Sequence, residues 1–68
     1  MIDENIKKLI AIGAAVSVNC HRCTRYYITN ARKMLLSEDK IREAVEIGTM
    51  VRKNAIVQMD GLLKELLK

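Results

Sequence analysis

Apolar side chains recur at intervals of three and four along most of this chain, the spacing of helices that each bury one face. Three or four helices are expected. The first covers residues 3–18, where Ile6, Leu9, Ile10, Gly13, Ala14, Val16 and Ser17 keep helical spacing and Asp3 and Glu4 suit a helix start. Ala11, Ile12 and Ala15 widen its apolar surface beyond one stripe, and the small Gly13, Ala14 and Ala15 let another backbone come close, as in a subunit interface.

Asn19 reads as the N-cap of a second helix over residues 20–36, with Cys20, Cys23, Tyr27, Ala31 and Met34 or Leu35 along one face. Ser37 is the next cap. Glu38 and Asp39 follow it in the first turn of a third helix whose inner face carries Ile41, Ala44, Val45 and Gly48. The pattern loosens over residues 50–54, so a break or kink is expected near 52–54. It then resumes as a strong stripe of Ala55, Ile56, Met59, Leu62, Leu63, Leu66 and Leu67, with Gly61 inside this last helix.

Composition narrows the picture to a small all-α domain spanning residues 1–68. A chain of 68 residues buries only about 60% of the surface its unfolded form exposes, so its own core is marginal and a partner subunit helps. Phe, Trp and Pro are all absent, which leaves Leu, Ile, Val, Ala and Met to build the core. Residues 9–18 imitate the apolar core of a signal peptide, but Asp3 and Glu4 spoil a basic start. The same run is far shorter than the roughly 18 apolar residues of a membrane span, so no membrane partner is expected.

The only cysteines are Cys20 and Cys23, with His21 and Arg22 between them. At this spacing the two sulfurs share one face of a helix start and can close a small disulfide ring or hold a metal, in both cases through the thiolate. Two cysteines this close cannot staple distant parts of a secreted fold. A cytoplasmic dithiol is the expectation. From Asn5 to Ser37 there is no acidic residue, while Lys7, Lys8, Arg22, Arg25, Arg32 and Lys33 lie there, a field that favours thiolate.

The net charge is +4, and residues 38–68 are balanced, so the excess belongs to the cysteine-bearing half. No nucleic-acid motif accompanies it, and nucleic acid is not an expected partner. Activation of thiols or attraction of anionic substrates accounts for the charge equally well.

The run LIAIGAAVSVNCHRC from Leu9 to Cys23 resembles the signature helix and Cys-x-x-Cys of the AhpD-like, carboxymuconolactone decarboxylase superfamily. The likeness continues through Ala31 and a short turn into SEDKIREAVEI from Ser37, covering roughly residues 6–52. It implies an all-helical fold assembled as a homo-oligomer. In the AhpD-like branch the two cysteines are a redox pair, assisted by a Glu in the preceding helix and a His four residues after the second Cys. Only the cysteines carry over: the Glu position falls on Lys8 and the His position on Tyr27, so the usual proton relay is missing. Leu35 stands where the family commonly has Gly.

The expected function is a thiol–disulfide oxidoreductase, or a weak alkylhydroperoxidase-like antioxidant protein, with Cys20 and Cys23 as catalytic residues. His21, Lys8, Tyr27 and Arg25 are candidate modulators. The resemblance makes Cys23 the first nucleophile, whereas the helix-start argument selects Cys20. The expected partners are further copies of this chain and a protein dithiol reductant or a peroxide, with no cofactor and no metal. Two alternatives come from other classes: a non-enzymatic oligomeric module with vestigial cysteines, and an intersubunit zinc site of four thiolates.

Overall fold

The computed structural model describes residues 2–68. Three helices follow one another, α1 (Glu4–Ser17), α2 (His21–Lys33) and α3 (Glu38–Leu66), and no strand occurs among the described residues. The small all-α fold is as expected.

Asp3 caps α1 by accepting the Ile6 N–H at 2.9 Å, and Ser37 caps α3 by accepting the Lys40 N–H at 3.2 Å. Each satisfies a donor that the first turn leaves without an intrahelical partner. Asn19, expected to cap α2, instead closes α1 in the left-handed conformation at φ 58°, and the cap of α2 is Cys20. Asn suits both positions, so residue type alone does not separate them.

The ends of α1 and α2 are built alike. Cys20 N–H donates to Ala15 O at 3.0 Å and Asn19 N–H to Val16 O at 3.1 Å; Leu36 N–H donates to Ala31 O at 3.1 Å and Leu35 N–H to Arg32 O at 3.0 Å. This pair of bonds around a left-handed residue is the Schellman motif. Leu35 takes the left-handed place of the second one at φ 62°. The left turn ends the helical ladder, so α2 stops at Lys33 instead of reaching residue 36.

The break expected at residues 52–54 does not occur, because α3 is continuous over 29 residues. The chain has no proline, and no glycine lies between Gly48 and Gly61, so nothing interrupts the backbone hydrogen bonds there. The loosened apolar pattern marks the point where α3 leaves the core: residues 53–68 are exposed throughout.

α1 packs against both other helices, while α2 and α3 touch each other little. Ile12, Ala31, Ile41 and Ala44 form the buried cluster, with Leu9, Tyr27, Ile28, Leu36 and Val45 against it. α1 and α3 come into close backbone contact at two glycines. A Cβ on Gly48 would lie 2.5 Å from the Gly13 carbonyl oxygen and 2.8 Å from Val16 Cβ, so only glycine allows this crossing. The close approach expected of Gly13 is thus made to α3 of the same chain.

The protruding half of α3 gives the molecule extents of 51 × 24 × 21 Å and a radius of gyration of 14.7 Å, against about 11 Å for a compact chain of this length. Its accessible surface is 5620 Å², about 1,300 Å² more than a folded monomer of 7.7 kDa exposes. No helix among the described residues is long and apolar enough to cross a membrane.

Candidate functional site

The turn between α1 and α2 is as short as the Schellman motif permits, and it places the cysteines. Cys20 is at once the residue that closes α1 through its N–H and the cap that opens α2 through its side chain. Its Sγ accepts the Cys23 N–H at 3.2 Å, a contact that fills the role an oxygen plays at most caps. Cys23 follows one turn on. The Cα atoms of the pair are 5.3 Å apart and the sulfurs are joined in a disulfide, within the range such a bond requires. Both residues are half-buried.

α2 aims its positive end at Cys20, and no acidic residue stands in its first turn. Once the pair is reduced, a Cys20 thiolate would face the dipole and the Cys23 N–H together, two effects that stabilise the charged sulfur. The modulators expected from the sequence are spread along α1 and α2, and not all of them stand at this turn. His21 is the first residue of α2 and is exposed, as is Arg25 one turn further. Lys8 on α1 and Tyr27 on α2 are half-buried. Tyr27 packs on the core cluster and meets Tyr26 edge-on, with ring centroids 5.3 Å apart.

Arg52 was not among the residues that the sequence nominates. From α3 its Nη1 donates to Asn19 Oδ1 at 3.1 Å, which ties the far helix to the residue before Cys20. Arg32, at the other end of α2, forms a bidentate pair with Glu38 through Nε at 3.0 Å and Nη2 at 2.9 Å. The hydrogen bond and charge of Glu38 hold Arg32 more firmly protonated, and the same bond lowers the Glu38 carboxyl below its usual value. Within one chain no group of three or more His, Cys, Asp or Glu side chains gathers as a metal site among the described residues. Any four-thiolate site therefore requires sulfurs from a second copy.

Among proteins of curated function and among solved structures, nothing matches the chain. A family model does, and it spans nearly the whole of it. The helix leading into Cys20, the Cys-x-x-Cys itself and all but the last residue of the helix capped by Ser37 fall inside residues 2–65, which match the carboxymuconolactone decarboxylase family, and the chain belongs to that family.

Proposed function

We propose that the protein is a thiol–disulfide oxidoreductase whose reactive groups are Cys20 and Cys23, with peroxide as a poor alternative oxidant. The observation that carries this reading is the disulfide between the two residues at a helix start, with Cys20 Sγ bonded to the Cys23 N–H. In the reduced protein the Cys20 thiolate attacks one sulfur of a disulfide substrate, forming a mixed disulfide and expelling the other sulfur as a thiolate. Cys23, deprotonated, then attacks the Cys20 sulfur, closing the intramolecular disulfide and releasing the second substrate thiol. A protein dithiol returns the pair to the reduced state. With a hydroperoxide, the same thiolate takes the terminal oxygen to give a sulfenic acid and an alcohol. Cys23 then condenses with the sulfenic acid and water leaves.

The cap position supports Cys20 as the attacking sulfur, since a thiolate there keeps the N–H bond that the disulfide sulfur already accepts. Arg25 and Lys8 modulate it through charge, His21 through proton supply, and Tyr27 through its packing on the core cluster. A dithiol of this kind works in the cytoplasm, where thiols are kept reduced.

The working form is a homo-oligomer. Residues 53–68 expose Ile56, Met59, Leu62, Leu63 and Leu66, and a groove of about 570 Å³ between α1 and α3 is walled by Ile6, Ile10, Ala14, Ile47 and Val51. A second copy is the fitting occupant, because the excess surface of about 1,300 Å² per chain is of the size that obligate interfaces bury.

Turnover with a small aromatic disulfide and a protein dithiol reductant tests the function. Wild-type protein should cycle, Cys20→Ser should be inert, and Cys23→Ser should stop at the mixed disulfide. Absence of turnover in wild type, with the oligomer intact, would leave the vestigial-cysteine reading standing. A stably folded monomer in sedimentation at micromolar concentration would remove the assembly.

A further inference from the structure

One cleft of the molecule is lined by cations. It has a volume of about 540 Å³, and Arg25 and Arg32 from α2 and Arg52 from α3 all border it, together with Val16 and Ile28. We propose that this cleft is a binding site for a small organic molecule carrying two negative charges.

Three arginines and no acidic residue line the cleft. One of the three charges is already matched, because Arg32 gives its Nε and Nη2 edge to Glu38. Arg25 and Arg52 remain, so two charges are left for a ligand. Arg52 keeps its place without an acid, by donating Nη1 to Asn19 Oδ1 at 3.1 Å, and its remaining N–H groups stay free for a guest. Arg25 makes no side-chain hydrogen bond or ion pair among the described residues. Planar guanidinium forks suit the paired oxygens of a carboxylate or a phosphate.

The space exceeds what an inorganic anion fills and falls within the usual range of about 300–1,000 Å³ for small-molecule pockets. Val16 and Ile28 offer an apolar wall for the carbon skeleton, and Thr24 adds a hydroxyl at the edge. Thr24 is the residue after Cys23 and His21 the residue after Cys20, so a guest would sit beside the turn that carries the disulfide.

Calorimetric titration of the full-length protein in its disulfide form tests the site independently of the redox chemistry, since no thiol is then available to react. Glutarate and phenyl phosphate serve as probes at low salt. At least one should bind with a Kd of about 1 mM or tighter, and the tighter of the two names the head group; equal binding assigns recognition to charge alone. Arg25→Gln and Arg52→Gln should each weaken binding by about tenfold, as loss of a charge-assisted hydrogen bond implies. Lys64→Gln, far along α3, should leave it unchanged. Arg25 is exposed and without partners, so its variant stays folded and keeps the test decisive. Binding of neither probe below about 10 mM, or equal weakening by all three substitutions, would overturn the proposal.

Discussion

Arg52 and Asn19 lie 33 residues apart in sequence, yet Arg52 Nη1 donates to Asn19 Oδ1 at 3.1 Å. The bond fastens α3 to the left-handed residue that closes α1, and the next residue is Cys20. Asn19 thus does two separable things: it accepts from Arg52, and it holds φ at 58°.

Substitutions at Asn19 tell these roles apart. Asn19→Gly keeps the left-handed turn and loses only the exposed hydrogen bond, so a loss of about 0.5–1 kcal/mol is expected in urea unfolding. Asn19→Ala adds the strain of a Cβ in that conformation, a further cost of about 1 kcal/mol. Equal stability of the two variants would show that the turn relaxes without its left-handed residue.

Leu35 holds the same conformation at φ 62° while 90% exposed. Its side chain contributes almost no burial to offset the strain. Leu35→Gly is therefore expected to stabilise the protein by about 1 kcal/mol, seen as a higher urea midpoint at unchanged slope. A loss of stability would mean that Leu35 packs against something in the assembled protein.

Two glycines of α3 predict opposite outcomes. A Cβ at Gly48 meets the Gly13 carbonyl oxygen at 2.5 Å and Val16 Cβ at 2.8 Å, whereas nothing lies within 4 Å of one at Gly61. Gly48→Ala should force α1 and α3 apart and cost about 1–3 kcal/mol. Gly61→Ala should gain about 0.8–1 kcal/mol from helix propensity, since Gly61 stands on the face opposite the Leu stripe. Thermal unfolding of the two variants checks both signs.

Much of this architecture is local and therefore legible in the residues. Asp3 and Ser37 are caps by type and position, and the disulfide partners stand three residues apart. What escaped local reading is what depends on distant contacts. Arg52 sits where the apolar pattern loosens, and no spacing rule links it to Asn19. The expected break beside it rested on that loosening alone, yet a helix leaving its core needs no apolar stripe to continue when no proline or glycine stops it. Leu35 gives no hint of a left-handed turn by its own type; the hint came from the glycine usual at that place in the family it resembles.

Reactivity at the two sulfurs should be unequal. In the Cys23→Ser protein, Cys20 remains at the start of α2 with the backbone N–H of residue 23 directed at it. Its alkylation rate should rise with a midpoint below the free-thiol value of about 8.5. In the Cys20→Ser protein, Cys23 lies inside the first turn without that cap bond, and its midpoint should be higher. The reverse order would make Cys23 the nucleophile, as the family resemblance implies.

The slow peroxide step is the part of the proposed chemistry most open to repair. The family resemblance sets Lys8 on α1 and Tyr27 on α2 at the places of that branch's Glu and His, and both are half-buried on helices that pack together. Neither an amine nor a phenol reproduces the carboxylate–imidazole pair that passes a proton in that relay. Lys8→Glu with Tyr27→His should raise the peroxidase rate by about 10²-fold, the contribution of one positioned acid–base group. Disulfide exchange, in which the thiolate needs no proton delivered to an oxygen leaving group, should change much less. Equal gains in both reactions would trace the effect to a lowered thiol pKa, and no gain with the oligomer intact would mean that the relay positions lie elsewhere in this chain.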